Sequence, residues 1–117
     1  MGLFGFLKRK PRSQTAENDR VRARLATFGD SGVKPRHTIH YAYPKRGAQG
    51  AEAASFLVGR GFTARATEDG KGMAMEHHVA VVGGAFDRLT EELAVGFSKM
   101  GWTYDGWECA VEPDDEA

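Results

Sequence analysis

The side chains able to do chemistry in this chain are few: four histidines, His37, His40, His77 and His78, one cysteine, Cys109, and Glu76 beside the second histidine pair. On a strand, residues one or three apart point to opposite faces, so neither histidine pair can chelate an ion by itself. The remaining metal reading is a cross-strand set. If His40 and His78 share a sheet face with Glu76, two imidazoles and a carboxylate can hold a divalent ion. No HxH or HExxH spacing supports that set, so hydrogen-bonded or solvated histidines are the default, and no metal or other cofactor is expected. The same three residues could share acid–base work. The sequence, however, offers no GxSxG elbow, P-loop or GxGxxG fingerprint to complete a site. Cys109 stands in an apolar alternation and reads as a small core residue. The chain is therefore not expected to be an enzyme.

The chain that must position these residues has 117 residues, enough for one domain with a single modest core. Its apolar fraction of 41% is ordinary, and no apolar run approaches the roughly 20 residues that span a bilayer. Formal charge sums to zero, yet the ends differ: Lys8, Arg9, Lys10 and Arg12 face no acid in the first 12 residues, while residues 105 to 117 hold six acids and no base. Between them no basic stripe of the phosphate-binding kind emerges, so nucleic acid is not the expected partner. One cysteine excludes an internal disulfide and fits a reducing cytoplasm. The opening MGLFGFLKRKPRS is too short in its apolar part for a secretory signal, and Phe6 stands where myristoylation needs Ser or Thr. Residues 1–16 read as a disordered basic and apolar tail. A weak membrane contact through residues 3–10 is the sharper reading of that segment, and the less favoured one.

From Asn18 as a cap, Val21, Leu25 and Phe28 predict a short amphipathic helix closed by Gly29. Residues 36–43 then alternate, with His37, Ile39, Tyr41 and Tyr43 on one face and Arg36, Thr38, His40 and Ala42 on the other, and Pro44 ends the strand. Ala51, Ala54, Leu57 and Val58 predict a second helix stopped at Gly61, before a strand over 62–68. Asp69-Gly70 turns that strand into MAMEHHVAVV, which Gly83-Gly84 breaks. Phe86, Leu89, Leu93, Phe97 and Met100 give the cleanest helical face, followed by a last strand in WTYDGWECAV. The order βαββαβ after a leading helix predicts an α+β, ferredoxin-like two-layer sandwich, with strands one and three central and strand four an edge beside strand one.

In that arrangement one sheet face stays open, and it is expected to carry Arg36, Thr38, His40, Glu76 and His78, a mixed set. Strand three lacks the aromatics by which an RRM stacks bases, so direct RNA readout is not favoured. In the last strand Trp107, Cys109 and Val111 should face the core, with Asp105-Gly106 as a bulge. A bulge can re-aim its neighbours, so Tyr104, Asp105 and Trp102 are candidates for presentation to a partner.

A leading helix ending in Gly29-Asp30, KPRHTIHYAYP from Lys34 to Pro44, GRGF at Gly59 to Phe62, and YDGWE from Tyr104 to Glu108 together resemble the ribonuclease E inhibitor RraB family over about residues 18 to 112. The resemblance implies a non-catalytic protein of 17–112, flanked by the tail 1–16 and an acidic tail 113–117, that binds ribonuclease E and restrains its cleavage of RNA. The family's motif residues fall on Arg36, His40, Asp105, Gly106 and Trp107. Arg36, His40, Asp105 and Trp107, with Tyr104, Glu108, Asp114, Asp115 and Glu116, where acidic charge would speed association with a basic segment, make up the partner-binding candidates. Two other classes stay open: a small-molecule-sensing regulatory domain, and a histidine-based metal-binding protein. Monomer and homodimer both fit the exposed edge of strand two.

Overall fold

A computed structural model describes residues 13–48 and 50–115, so most of the expected N-terminal tail, residues 3–10 included, and Glu116 lie outside the described residues. The elements run α1 (Gln14–Ala26), β1 (Arg36–Pro44), α2 (Gly50–Leu57), β2 (Thr63–Ala66), β3 (Met73–Val79), α3 (Gly84–Lys99) and β4 (Trp102–Cys109). The strands form one antiparallel sheet in the order β2-β3-β1-β4. Helices cover one of its faces in a two-layer α/β sandwich. Among the described residues no helix is long and apolar enough to cross a membrane.

Helix α1 starts four residues before the expected cap. Ser13 takes that role, its Oγ accepting from the Ala16 N–H at 3.1 Å, and Glu17 adds a carboxylate to the positive end. Asn18 is instead inside the helix and fully buried. The helix ends in a Schellman pair, Gly29 N–H to the Ala26 carbonyl and Asp30 N–H to that of Leu25. Phe28, expected on the apolar face, is 55% exposed, because the chain has already turned away. In α2 the buried face is Ala53 and Leu57, with Phe56 edge-on to Phe97. Val58, expected to be inside, follows the last helical turn and is exposed. Helix α3 buries Phe86, Leu93 and Phe97 as its spacing predicts.

Two apolar clusters fill the sandwich. The larger joins Ala42, Met75 and Trp102 of the sheet to Ala53, Leu57, Leu93 and Phe97 of the helices. The smaller is Leu25, Val81 and Phe86, flanked by Val21, Val79, Trp107 and Cys109. Val111, expected in the core, lies past the end of β4 and is exposed.

The alternation of β1 is as expected, but its faces are inverted. Arg36, Thr38, His40 and Ala42 point at the helices with no exposure, while His37, Ile39, Tyr41 and Tyr43 line the open face. Pairing decides this. Met73 and Met75 stand opposite Ala42 and His40, and Trp107 and Cys109 stand opposite His40 and Thr38, so the bulky apolar residues of both neighbours fill the inner face. A one-residue slip would turn all of them outward.

The polar residues that β1 turns inward each have a hydrogen-bond partner, whereas the buried Trp102 Nε1 has none among the described residues. Arg36 donates through Nη1 to Asp30 Oδ2 at 2.6 Å and through Nη2 to Oδ1 at 2.9 Å, and neither side chain touches water. Asp30 also accepts from the N–H groups of Gly32 and Glu112, and Arg36 reaches the carbonyls of Lys34 and Ala110. Arg36, opposed by burial and helped by those two N–H groups, holds the Asp30 carboxyl well below the usual carboxylate range. Asp30→Asn keeps the shape but strands a buried guanidinium, which costs about 3 to 5 kcal/mol. Asp115→Asn, which breaks a pair with Lys34 whose carboxylate is 90% exposed, should change stability by less than about 1 kcal/mol. Urea unfolding of both variants checks this; equal small losses would refute the central place given to the buried pair.

Candidate functional site

One extra residue in β4 organises its inner face. The β1–β4 register shifts between His40 and Ala42, opposite Asp105-Gly106, and Gly106 takes a φ of 95° that side chains disfavour. Tyr104 and Trp107, three apart, consequently both face the helices. Trp107 packs edge-on to Phe86 and donates its Nε1–H to Asn18 Oδ1 at 2.7 Å. Asn18 also accepts from Gln14 and donates to Asp87 Oδ1 at 2.9 Å and Thr90 Oγ1 at 2.8 Å. Asp87 in turn receives Arg22. The amide thus has every donor and acceptor engaged, and it locks α1 to α3 and to the last strand.

Beside it runs a second chain of bonds. Tyr104 Oη lies 2.7 Å from His40 Nδ1, and His40 Nε2 lies 2.8 Å from His77 Nε2. Phe62 packs against both imidazoles. Two ring nitrogens that close share one hydrogen, one donating and the other accepting. Burial, joined by the neighbouring imidazole, pushes His40 down to about 3, and burial pushes His77 down to about 4. Burial raises the Tyr104 hydroxyl. Near pH 7 the trio is uncharged and passes hydrogen bonds, not charge.

The expected set of His40, His78 and Glu76 is not assembled. Glu76 and His78 do face the open side, but His40 faces inward, and Glu76 there binds His37 Nε2 and Arg65 Nε, both at 2.6 Å. Among the described residues, no group of three or more His, Cys, Asp or Glu is placed to hold a metal ion. Cys109 is half-buried, and burial pushes its thiol up, away from the nucleophilic thiolate.

Of the partner-binding candidates, Arg36 and His40 are wholly enclosed, Tyr104 points inward and Trp107 is half-buried on Asn18. Trp102 is also enclosed, 5% exposed in the larger cluster. Arg36, His40 and Trp102 act through the fold, while Tyr104 and Trp107 keep an outer edge in a cleft shared with Gln14, Glu17 and Val21 of α1. Asp105 and Glu108 are exposed, and Glu108 accepts the Tyr41 hydroxyl at 3.0 Å. Asp114 and Asp115, expected in a tail starting at 113, are docked on the loop after α1. Asp114 N–H reaches the Gly29 carbonyl, its carboxylate accepts from Ser31 N–H and Oγ, and Asp115 pairs with Lys34.

Sequence reading missed Asn18 as a hub, Asp30 as a partner of Arg36, and His77. An asparagine in mid-helix is a poor helix former and was the available signal for the first. It also missed that the open face carries Tyr41 and Tyr43. A cleft of about 420 Å³ lies there among Tyr41, Tyr43, Arg65, Thr67, Glu68 and Asp69.

Fold and site together define a small α+β protein whose Arg36, Thr38 and His40 are sealed under helices and whose opposite sheet face is uncovered among the described residues. No protein-family model matches the chain, and no curated protein matches it.

An unfolded histidine takes up a proton near pH 6.5, while folded His77 and His40 resist until about pH 4 and 3. Stability present above pH 6.5 is therefore lost as pH falls, by about 2 kcal/mol between pH 7 and 5 for each histidine that must stay neutral. Asp30 acts in a lower window, below the ordinary carboxylate range. Urea midpoints at pH 7 and 5 measure the loss, and His77→Gln should remove about half of it; an undiminished pH dependence in that variant would contradict the assignment.

Proposed function

We propose that this chain is a non-catalytic regulator that binds ribonuclease E and restrains its cleavage of RNA, built on the ferredoxin-like βαββαβ arrangement behind an extra helix. The strand order β2-β3-β1-β4 supports that topology. One observation carries the functional reading: the residues on which the family resemblance rests come from distant segments and depend on one another. Gly29-Asp30 closes α1 and clasps Arg36, His40 bonds Tyr104, and Gly106 seats Trp107 on Asn18. Such mutual dependence is what a shared framework requires, and it accounts for Asp30, Arg36, His40, Gly106 and Trp107 without asking them to touch a partner. The partner surface is then left to exposed residues, Asp105 and Glu108 among them. The action is protein-directed, in the cytoplasm, with no contact to the RNA itself.

The test is cleavage of a short RNA by the host's own ribonuclease E with increasing amounts of the full chain. Cleavage should slow in proportion to dose, while gel shift shows no binding to the RNA alone. An unchanged rate at a large molar excess of the chain would sink the proposal.

A further inference from the structure

The sheet face turned away from the helices is built around two tyrosines of a central strand. Tyr41 and Tyr43 stand opposite the smallest side chains of the neighbouring strand. A Cβ on Gly72 would run into the Tyr43 ring, and Ala74, paired with Tyr41, has no exposure although it faces away from the helices. The rings are therefore seated against the start of β3, and no helix among the described residues covers their outer side.

Carboxylates flank them on both sides. Glu68 and Asp69 share the cleft with both rings, and across β1 the exposed Glu108 of β4 accepts the Tyr41 hydroxyl. Glu76 on β3 makes a fourth acid. Against these stand Arg65 and Lys71, and Arg65 is already held by Glu76, as is His37. Asp69 uses Oδ1 for Thr67 and the Lys71 N–H, and Glu108 uses Oε2 for Tyr41, so among the described residues each keeps a second oxygen without a hydrogen bond.

Aromatic faces ringed by carboxylates suit guanidinium and ammonium groups, which bind by cation–π attraction and charge-assisted hydrogen bonds. The same acids repel a phosphate backbone. A second copy placed face to face would set acid against acid. From this complementarity we infer that the open face receives an arginine- or lysine-rich peptide segment of a partner protein, with a cationic side chain entering the cleft between Tyr43 and Glu68. This deepens the reading of the chain as a regulator of ribonuclease E, and rests on it only for the partner's identity.

The experiment is titration of the isotope-labelled full chain with a short synthetic arginine-rich peptide, followed by NMR. Amide shifts should gather on Tyr41, Tyr43, Glu68, Asp69 and Glu108, and affinity should fall on adding salt. Tyr43→Ala and, separately, Glu68→Lys should each weaken binding about tenfold. Glu68 is exposed and outside both cores, so its variant keeps the fold, checked by its urea midpoint. Shifts confined to residues 112–115, or full affinity in Glu68→Lys, would overturn the inference. So would a short RNA, or a second copy of the chain, perturbing the same face more strongly than the peptide. If both variants still inhibit ribonuclease E at full strength, this inference fails and the regulator reading stands. If the peptide binds here and the enzyme is unaffected by the chain, the regulator reading fails and this one stands.

Discussion

A guanidinium and a carboxylate sealed from water set the frame of this protein. Removing both charges from solvent is costly, and the arrangement is favourable only because each group is saturated. Asp30 takes two bonds from Arg36 and one each from the backbone of Gly32 and Glu112, while Arg36 reaches the carbonyls of Lys34 and Ala110. Those partners lie in the turn after α1, the start of β1 and the segment leaving β4. One ion pair therefore fixes where three parts of the chain meet, and it fixes which face of β1 is inside.

With β1 so oriented, the remaining inner residues must find polar partners of their own, and the bulge in β4 supplies them. The extra residue at Asp105-Gly106 brings Tyr104 to His40 and Trp107 to Asn18. Without it the strand's alternation would put one of these two aromatics outside. The layer beneath the helices is thus a polar seam beside apolar clusters, and its specificity comes from matched donors and acceptors more than from area. The cost is sensitivity to acid, since two imidazoles must remain neutral to stay inside.

Enclosing the polar motif has a consequence for the opposite face. Turning Arg36, Thr38 and His40 inward leaves the residues with the stronger strand character, Ile39, Tyr41 and Tyr43, without a helical cover among the described residues. On an ordinary two-layer protein these would be the core. Here they form a surface, tempered by the His37–Glu76–Arg65 network and the Tyr41–Glu108 bond.

Much of the fold was legible in the sequence. Helix α3 could be read from Phe86, Leu93 and Phe97, the hairpin from Asp69-Gly70, and the bulge from Asp105-Gly106, because each signal is local: a period, a turn residue, a glycine that tolerates positive φ. The two faces of β1 were equally legible as sets. Which set is buried was not, because a period of two carries no sign. That choice depended on Asp30 meeting Arg36, on His77 meeting His40, and on Asn18 receiving Trp107 across 89 positions of sequence. A buried polar group is tolerable only beside its partner, and the partners are brought together by the tertiary structure alone.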